Sequence, residues 1–298
     1  MQAAFYALLA IVPWVGVTLL IRFLVKMEGW PVGLVGTLSR VVTVPLLGAW
    51  ILSTGAGWRR LRPRGVGAWL LLMGAVSIAI NLLWFAALKW TTATNAAMLF
   101  RFDLVFVLLI GAALGLERIG LAQLALVPVM LVGLGLLVEV QKFDLGGHLA
   151  GDAMVVVAAL GLAVNAFVIR RIMWAMDENS VALYNHTMSM MGFAALAAAG
   201  SEFGLAGDLL AAAWVPVAIL GVVSAVGLPL YYVALRRMDV WKLRMFLLLT
   251  PVIAAAVEWP LWGIRLSALQ CLGGAIILAC LAALIHIESR ETRKDRMA

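Results

Sequence analysis

Long apolar segments separated by short polar connections form the main pattern of this chain. Ten such segments can be counted, and each approaches the roughly 20 residues that a helix needs to cross a bilayer core. Their approximate limits are 2–24, 31–53, 65–88, 94–116, 121–140, 151–172, 181–200, 212–235, 240–263 and 267–286. The pattern predicts an all-α membrane protein with ten transmembrane helices and no extramembrane domain.

The composition excludes a soluble protein. Hydrophobic residues make up 65% of the 298 residues, charged residues only 12%, and the mean hydropathy is +1.07. An average soluble domain has about 25% charged residues, and so few charges cannot cover the surface that a globule of this size leaves in water. Soluble enzymes, nucleic-acid-binding proteins and disordered chains are thereby excluded, and the lipid bilayer is the expected surrounding.

The basic residues fall mainly on one set of connections. If the N-terminus is cytoplasmic, the connections on that side and the C-terminal stretch carry 14 of the 22 Lys and Arg residues, and the opposite connections carry 5. The positive-inside rule therefore predicts that both termini are cytoplasmic. Because membrane topology explains the net charge of +7, this charge does not indicate a nucleic-acid partner.

The two halves of the chain resemble each other at a nearly constant offset. A shift of 147 residues places Gly74 on Gly221, Ser77 on Ser224, Lys89 on Arg236, Arg118 on Arg265 and Gln123 on Gln270. We predict a five-helix repeat at residues 1–145, a second at 146–289 and a basic cytoplasmic tail at 290–298. An odd number of spans inverts the second repeat, an arrangement typical of transporters that work by alternating access.

Short motifs in both halves resemble one transporter family. Gly115-Leu116-Glu117-Arg118-Ile119 follows the fourth span, Gln123 and a glycine-rich fifth span come next, and Leu249-Thr250-Pro251 lies in the ninth. With the ten-span plan, these features resemble EamA-type members of the drug/metabolite transporter superfamily over essentially the whole chain. The Trp-rich composition is most similar to the aromatic amino-acid exporter branch. The resemblance implies a bacterial inner-membrane exporter of amino acids and other small metabolites.

Two positions depart from the pattern of that family. Ile264 stands where the second half usually repeats the acidic residue of Glu117. Arg101-Phe102-Asp103 stands where the first half commonly has a proline. The second departure introduces a charged pair, so we expect that the substrate can differ from that of the family's usual members.

Five ionisable residues fall inside the predicted spans, namely Arg40, Arg101, Asp103, Arg244 and Glu258. Such residues cost at least about 2.5–3.5 kcal/mol each at mid-helix, so they should face the bundle interior or a wet cavity. Arg244, near the predicted cytoplasmic end, is expected to reach the interface by snorkelling. The plausible pairs are Arg40 with Asp103 and Arg101 with Glu258.

Two interpretations of these charges stay open. They form fixed pairs that neutralise each other, or an arginine binds a substrate carboxylate while Asp103 or Glu258 receives an ammonium group or a coupling proton. The second interpretation suits an amino acid. Because arginines also hold phosphate, an organophosphate or nucleotide-sugar carrier is an alternative, as is a passive channel. Facilitated diffusion would require no coupling proton.

Other polar and aromatic side chains complete the candidate substrate site. They are Asn81, Asn165, Tyr184 and His186 among the polar residues and Trp14, Trp84 and Tyr231 among the aromatic ones. His186 is also a candidate proton relay. Each of these side chains can instead bond or pack between helices. Trp69 and Trp214 also lie well inside spans, whereas Trp241 and seven others lie near span ends, where tryptophan anchors the interface.

The remaining motifs argue against an enzyme, a metal centre or a cofactor. No HExxH motif, paired Cys/His spacing or Gly-x-Ser-x-Gly motif occurs in the sequence. Gly111 and Gly115 form a GxxxG pattern, which can mark a dimer face. We expect it to serve packing within a monomer, with a dimer through Gly111 and Gly115 as the alternative.

Overall fold

The structure, a computed structural model, describes residues 2–54, 61–63, 65–87, 90–117, 119–139, 148–263 and 265–295. Every regular element in these ranges is helical. The first half contains α1 (Gln2–Ile21), extended by a π-helical stretch (Arg22–Met27), α2 (Val32–Ser53), α3 (Gly67–Ala87), α4 (Ala93–Leu99), α5 (Phe102–Ala113) and α6 (Leu121–Leu137). The second half contains α7 (Leu149–Ile172), α8 (Glu178–Ala199), α9 (Ala206–Arg237), α10 (Val240–Leu247), α11 (Leu249–Trp262) and α12 (Ala268–Asp295).

Eight helical segments in the described part of the chain are long and apolar enough to cross a membrane. They are Ala3–Met27, Val32–Ser53, Gly67–Trp84, Asn95–Ala113, Leu149–Ile172, Glu202–Arg237, Val240–Trp262 and Ala268–Ser289. Helix α6 is apolar but has 17 residues, and α8 has 22 residues but carries Asn, His, Thr and Ser side chains. The all-helical membrane fold is therefore confirmed, whereas the count of ten spans stays a prediction.

The fourth span of each half is divided at the same place. Helices α4 and α5 meet at Arg101, and α10 and α11 meet at Leu248, which is 147 positions later. At both junctions a backbone N–H bonds the carbonyl three residues earlier, from Leu104 to Arg101 and from Leu248 to Met245, each over 3.2 Å. The repeated break supports the two-repeat architecture, and in the first half it forms without a proline.

Contacts between helix ends define two sides of the bundle. We call the side where α1 begins and α12 ends the terminal side, and the other the distal side. On the terminal side Glu117 binds the start of α10, whereas on the distal side Arg22 pairs with Glu258 and Thr91 bonds Asp152. The sequence prediction assigns the terminal side to the cytoplasm.

The two halves interlock rather than standing side by side. Helix α1 packs on α9, α2 on α8, α3 on α7 and α6 on α12, so each of these pairs joins one half to the other. Glycines allow the last pair to approach closely, because a Cβ atom at Gly133 would lie 3.0 Å from the Gly273 carbonyl oxygen. The core of the protein is therefore shared between the repeats.

Several predictions about individual positions change in the structure. Trp241 is fully buried at the start of α10, so its assignment to the interface is wrong, whereas Trp50 and Trp174 are exposed. Trp69 and Trp214 are also exposed, and neither lines the cavity described below. Helix α12 continues to Asp295, through most of the stretch predicted as a tail.

The GxxxG glycines have roles inside the chain. Gly111 is buried, and a Cβ atom there would lie 3.2 Å from the Glu117 side chain. Gly115 has a φ angle of +61° in the turn after α5, a conformation that glycine adopts readily. Both roles concern contacts within one chain, and the choice between a monomer and a dimer through these glycines stays a prediction.

Candidate substrate-binding cavity

A cavity of about 450 Å³ lies between the two halves. Helices α1, α2 and α3 line it with their distal portions, from Trp14 to Val25, from Val32 to Arg40 and from Ser77 to Trp84. The terminal half of α7, the central parts of α8 and α9 and the divided fourth spans complete the wall. The cavity thus reaches the distal ends of α1 and α2, and on the other side it extends to Ile169 and Arg244, about one turn from the terminal ends of α7 and α10.

Aromatic rings form much of the cavity wall. The Trp14 and Tyr231 rings meet edge to face, with centroids 6.2 Å apart, and Tyr231 in turn contacts Tyr232. Trp84 and Phe100 form a tilted pair with centroids 4.5 Å apart. Such walls favour a ligand with a flat apolar part, because aromatic rings pack well in offset or edge-on arrangements.

Arg40 lies in the middle of α2 and points a guanidinium group at the cavity. Its Nη1 donates to the Ser39 hydroxyl over 3.0 Å, and its central carbon lies 4.9 Å from the centre of the Phe193 ring. Gly36, one turn earlier, allows this ring to approach, since a Cβ atom there would lie 2.5 Å from a Phe193 ring carbon. Arg40 Nε is buried and has no hydrogen-bond partner among the described residues.

Two other arginines share one carboxylate. Arg244 Nε lies 3.4 Å from Asp103 Oδ2, and both residues are buried. Arg244 also donates to the Leu162 carbonyl over 3.2 Å. Arg101, at the junction of α4 and α5, is close enough to interact electrostatically with both residues. Arg101 and Arg244 line the cavity, and Asp103 lies behind them.

Amides and an imidazole provide the other polar groups of the wall. Asn165 donates to the Ser77 hydroxyl over 3.0 Å, but its Oδ1 has no partner among the described residues. Asn185 donates to the Tyr232 hydroxyl over 2.6 Å. His186 is buried, and its Nε2 is likewise without a partner in the described part of the chain. These atoms can bond a polar ligand.

The structure brings eight of the eleven predicted site residues together around the cavity, namely Trp14, Arg40, Asn81, Trp84, Arg101, Asn165, His186 and Tyr231. The other three do not line it. Tyr184 donates to the Leu61 carbonyl over 2.7 Å on the terminal side, Asp103 sits behind Arg244, and Glu258 pairs with Arg22 on the distal side.

The predicted ion pairs are wrong. Asp103 pairs with Arg244 rather than Arg40, and Glu258 pairs with Arg22 rather than Arg101. Arg244 is only 6% exposed, so the prediction that it reaches the interface is wrong. Asp103 of the other half binds its side chain inside the bundle. The choice of partner depends on which helices pack together, and the sequence of a single span does not reveal its neighbours.

The predicted site included one residue of the wall that α8 forms, His186, but not Asn185, Ser189 or Phe193. All four side chains line the cavity from α8. His186, Ser189 and Phe193 stand at positions i, i+3 and i+7, which share one helix face. This spacing could have extended the site from His186 to Phe193.

A buried carboxylate, that of Glu117, joins the two halves on the terminal side. Glu117 Oε1 accepts hydrogen bonds from the Val240 N–H at 2.5 Å and from Arg170 at 3.0 Å, and its Oε2 accepts one from the Trp241 N–H at 3.2 Å. Burial raises the pKa of the Glu117 carboxyl, against the opposing effect of these three donors. One residue of the first half thus caps α10 and binds α7 in the second.

The sequence matches the EamA-like transporter family twice, at residues 1–139 and at residues 149–285. The chain belongs to the EamA-like transporter family. The two matches coincide with the two halves, so they confirm the family that the motifs indicated and the repeated architecture. The EamA-like family consists of transporters rather than enzymes, and the apolar helices make this member a multi-pass membrane protein.

A solved crystal structure with no stated function also resembles this EamA-like chain. The two align with a TM-score of 0.76 and 20% sequence identity, over 95% of this chain and 96% of that chain. At this identity the likeness concerns the fold alone. No curated protein matches the sequence.

Proposed function

We propose that this EamA-like transporter exports small zwitterionic or amphipathic metabolites across the bacterial inner membrane by alternating access. Amino acids are the proposed substrates, with aromatic ones favoured, and both termini are placed in the cytoplasm. The observation that carries the proposal is the cavity, which both halves build from aromatic rings and cationic groups. A flat side chain suits the rings, and a carboxylate suits the guanidinium groups.

The difference between the two sides supports alternating access. The cavity extends to the distal ends of α1 and α2, although Arg22 and Glu258 join the halves there, whereas its lining residues stop short of Glu117 and of the Arg236–Glu178 ion pair on the terminal side. Inverted repeats allow the two halves to rock about a central site, so that access passes from one side to the other. The arrangement corresponds to the outward-open member of such a pair of states.

Transport by purified protein in proteoliposomes tests this proposal. We expect saturable uptake of labelled L-phenylalanine or L-tryptophan, accelerated when the vesicles are preloaded with the unlabelled amino acid. Counter-exchange of this kind requires a carrier, because a passive channel shows neither saturation nor acceleration. Unsaturable flux would favour the channel, and no flux of any amino acid would contradict the proposed substrate class.

An organophosphate or nucleotide-sugar carrier is the second candidate. One observation favours it, since Arg40, Arg101 and Arg244 all line the cavity and no described lining residue is acidic. Arginine binds phosphate in a forked geometry. Uptake of labelled amino acids and of labelled sugar phosphates, each competed by unlabelled forms of both, separates the two candidates, because each carrier should show saturable uptake of its own substrate class.

Proton coupling is proposed through three residues. His186 faces the cavity, and Asp103 contacts the cavity-lining Arg244, whereas Glu258 binds Arg22 at the distal end. The structure therefore favours His186 and Asp103 over Glu258 for contact with a proton that moves with the substrate. Flux measured with and without an imposed pH gradient tests coupling, and an unchanged flux would leave facilitated diffusion. We further propose that the monomer is the transporting unit.

A further inference from the structure

The charges around the cavity do not balance. Three arginines line it, and Asp103, which lies behind Arg244, is the carboxylate that the described structure places near two of them. Burying a cation without a partner is costly. A ligand that brings negative charge into the cavity relieves this cost, whereas a ligand with a net positive charge increases it.

Arg40 is the arginine that the imbalance leaves unmatched. It makes no ion pair with a described residue, and its one hydrogen bond there, to the Ser39 hydroxyl, satisfies a single donor. Since a guanidinium group has five N–H donors in a planar fork, most of its bonding capacity is available. The Phe193 ring beneath the guanidinium fixes its plane without neutralising its charge.

Helix α8 places His186 beside Arg40. The two side chains are close enough to interact electrostatically, and both line the cavity. His186 Nε2 is buried without a partner in the described part of the chain, and the Ser224 backbone bonds the imidazole, so Nε2 donates to a ligand when the ring carries both protons and is cationic. Ser189, one turn further along α8, lines the same wall.

The repeat does not require a cation at this place. An offset of 150 residues pairs Ser39 with Ser189 and therefore pairs Arg40 with Met190. The related position in the second half is thus apolar, and the charge belongs to one half alone. The repeat therefore does not account for the charge of Arg40, whereas an anionic ligand does.

We infer that Arg40 and His186 form a binding site for the anionic group of the transported molecule, a carboxylate or a phosphate, and that an ammonium group is not needed for binding. The inference rests on the proposed function, because it takes the cavity as the transport route. It deepens that function, since a zwitterion is then recognised through its carboxylate end.

Competition by analogues that lack one end of phenylalanine tests the inference. Labelled L-phenylalanine uptake into proteoliposomes is inhibited with 3-phenylpropionate, which lacks the ammonium group, and with phenethylamine, which lacks the carboxylate. We expect 3-phenylpropionate to inhibit at least about tenfold more strongly than phenethylamine, because charge-assisted bonds to arginine are strong. An amine that inhibits as well as the acid would overturn the inference while leaving amino-acid transport intact.

Phenyl phosphate provides the second arm of the competition. Stronger inhibition by phenyl phosphate than by 3-phenylpropionate supports the site and identifies phosphate as its natural group, and the reverse order identifies carboxylate. If L-phenylalanine is not transported at all, the amino-acid proposal fails. Direct uptake of labelled 3-phenylpropionate and phenyl phosphate then tests the anion site alone, and absence of both fluxes overturns it.

Substitutions assign the effect to Arg40. In Arg40→Gln we expect the inhibition constant of 3-phenylpropionate to rise at least about tenfold, with less than about a threefold change for phenethylamine. Arg40→Lys should restore part of the acid's inhibition, and His186→Gln should weaken the acid alone by a smaller factor. An exposed arginine outside the cavity, Arg171→Gln, is the matched control.

A purely structural role for Arg40 gives a different result. In that case Arg40→Gln weakens the acid and the amine equally, and this outcome overturns the site. Monodispersity and thermal unfolding in detergent show whether each variant folds. If Arg40→Gln does not fold, the acid-to-amine ratio in Arg40→Lys and His186→Gln decides, and an unchanged ratio in both contradicts the inference.

Discussion

The first and second halves place equivalent helices in the same order and divide their fourth span at the same position, but they carry different charges. At the repeat offsets, Arg40, Arg101, Asp103 and Glu117 of the first half correspond to Met190, Leu248, Thr250 and Ile264 of the second. Conversely, Arg244 and Glu258 correspond to Ala97 and Gly111. The backbone therefore repeats, whereas these six ionisable groups do not.

This difference separates two tasks within one architecture. The repeat supplies the path and the possibility of two related states. We propose that the unrepeated charges influence which state is held and what the cavity accepts. Glu117 fastens the terminal side, and the apolar Ile264, which lies outside the described residues, stands at the corresponding position of the second half. The asymmetry agrees with a cavity that reaches the distal side.

Removing the Asp103 carboxylate, which joins the two halves through Arg244, should cause the largest loss of stability. Asp103→Ala leaves the buried Arg244 without its partner, and we expect a loss of about 3–5 kcal/mol in stability. Thermal unfolding in detergent measures the effect, with the exposed Asp208→Ala as control. The double variant Asp103→Ala/Arg244→Met should recover part of the loss. An unchanged melting temperature in Asp103→Ala would contradict a stabilising ion pair.

Weakening the contacts of Glu117 on the terminal side should cause the next largest loss of stability. Glu117→Gln removes the ion pair with Arg170 and one of the acceptors at the start of α10, at a cost of about 1–3 kcal/mol. Thermal unfolding measures the cost, and Glu28→Gln, on an exposed residue, is the control. Equal melting temperatures for the two variants would show that Glu117 does not fasten the halves.

Filling the contact between α2 and α8 tests how tightly the halves meet. In Gly36→Ala the new methyl group would lie 2.5 Å from a Phe193 ring carbon, so we expect a loss of about 1–3 kcal/mol and weaker substrate binding. Gly48→Ala, in the same helix, meets nothing within 4 Å and should be neutral or stabilising by up to about 1 kcal/mol. The reverse order of the two melting temperatures would reject this packing.

The smallest predicted effect is on KM, and it distinguishes a tryptophan that lines the cavity from one that does not. Trp84→Ala removes a wall of the cavity and should raise the KM for an aromatic substrate by about 2- to 12-fold, from about 0.5–1.5 kcal/mol of ring contact. Trp69, in the same helix, is 40% exposed and outside the cavity, so Trp69→Ala should leave KM unchanged. A larger effect at Trp69 would place the aromatic subsite elsewhere.

The sequence analysis predicted features that depend on one helix at a time. Hydropathy located the helices, and the offset of matching residues located the two halves. The cost of placing Arg40 and Arg101 in lipid also correctly predicted that they face inward, because it depends only on where a residue lies along its span. Trp14 and Trp84 were separated from the interfacial tryptophans by the same reasoning.

Contacts between helices were beyond that reasoning. Glu258 and Asp103 have several cationic residues at a suitable depth, and only the packing of α1 near α11 and of α5 near α10 selects Arg22 and Arg244. Tyr184 was predicted to line the site as a polar side chain inside the seventh span, but its hydroxyl bonds the Leu61 carbonyl. Helix α8 therefore presents His186 to the cavity and Tyr184 to the connection that contains Leu61.

The interlocked packing of the halves also determines when each helix can find its partner during synthesis. Helix α6 belongs to the first half, but the partner that its Gly133 face contacts is α12, the last helix to be synthesised. Likewise, α1 can pack on α9, and α2 on α8, only after those later helices have been synthesised. The first half therefore enters the membrane with much of its packing surface still against lipid. Assembly is complete only after the ribosome releases the C-terminal helix, so a chain that stops before α12 leaves α6 unpaired.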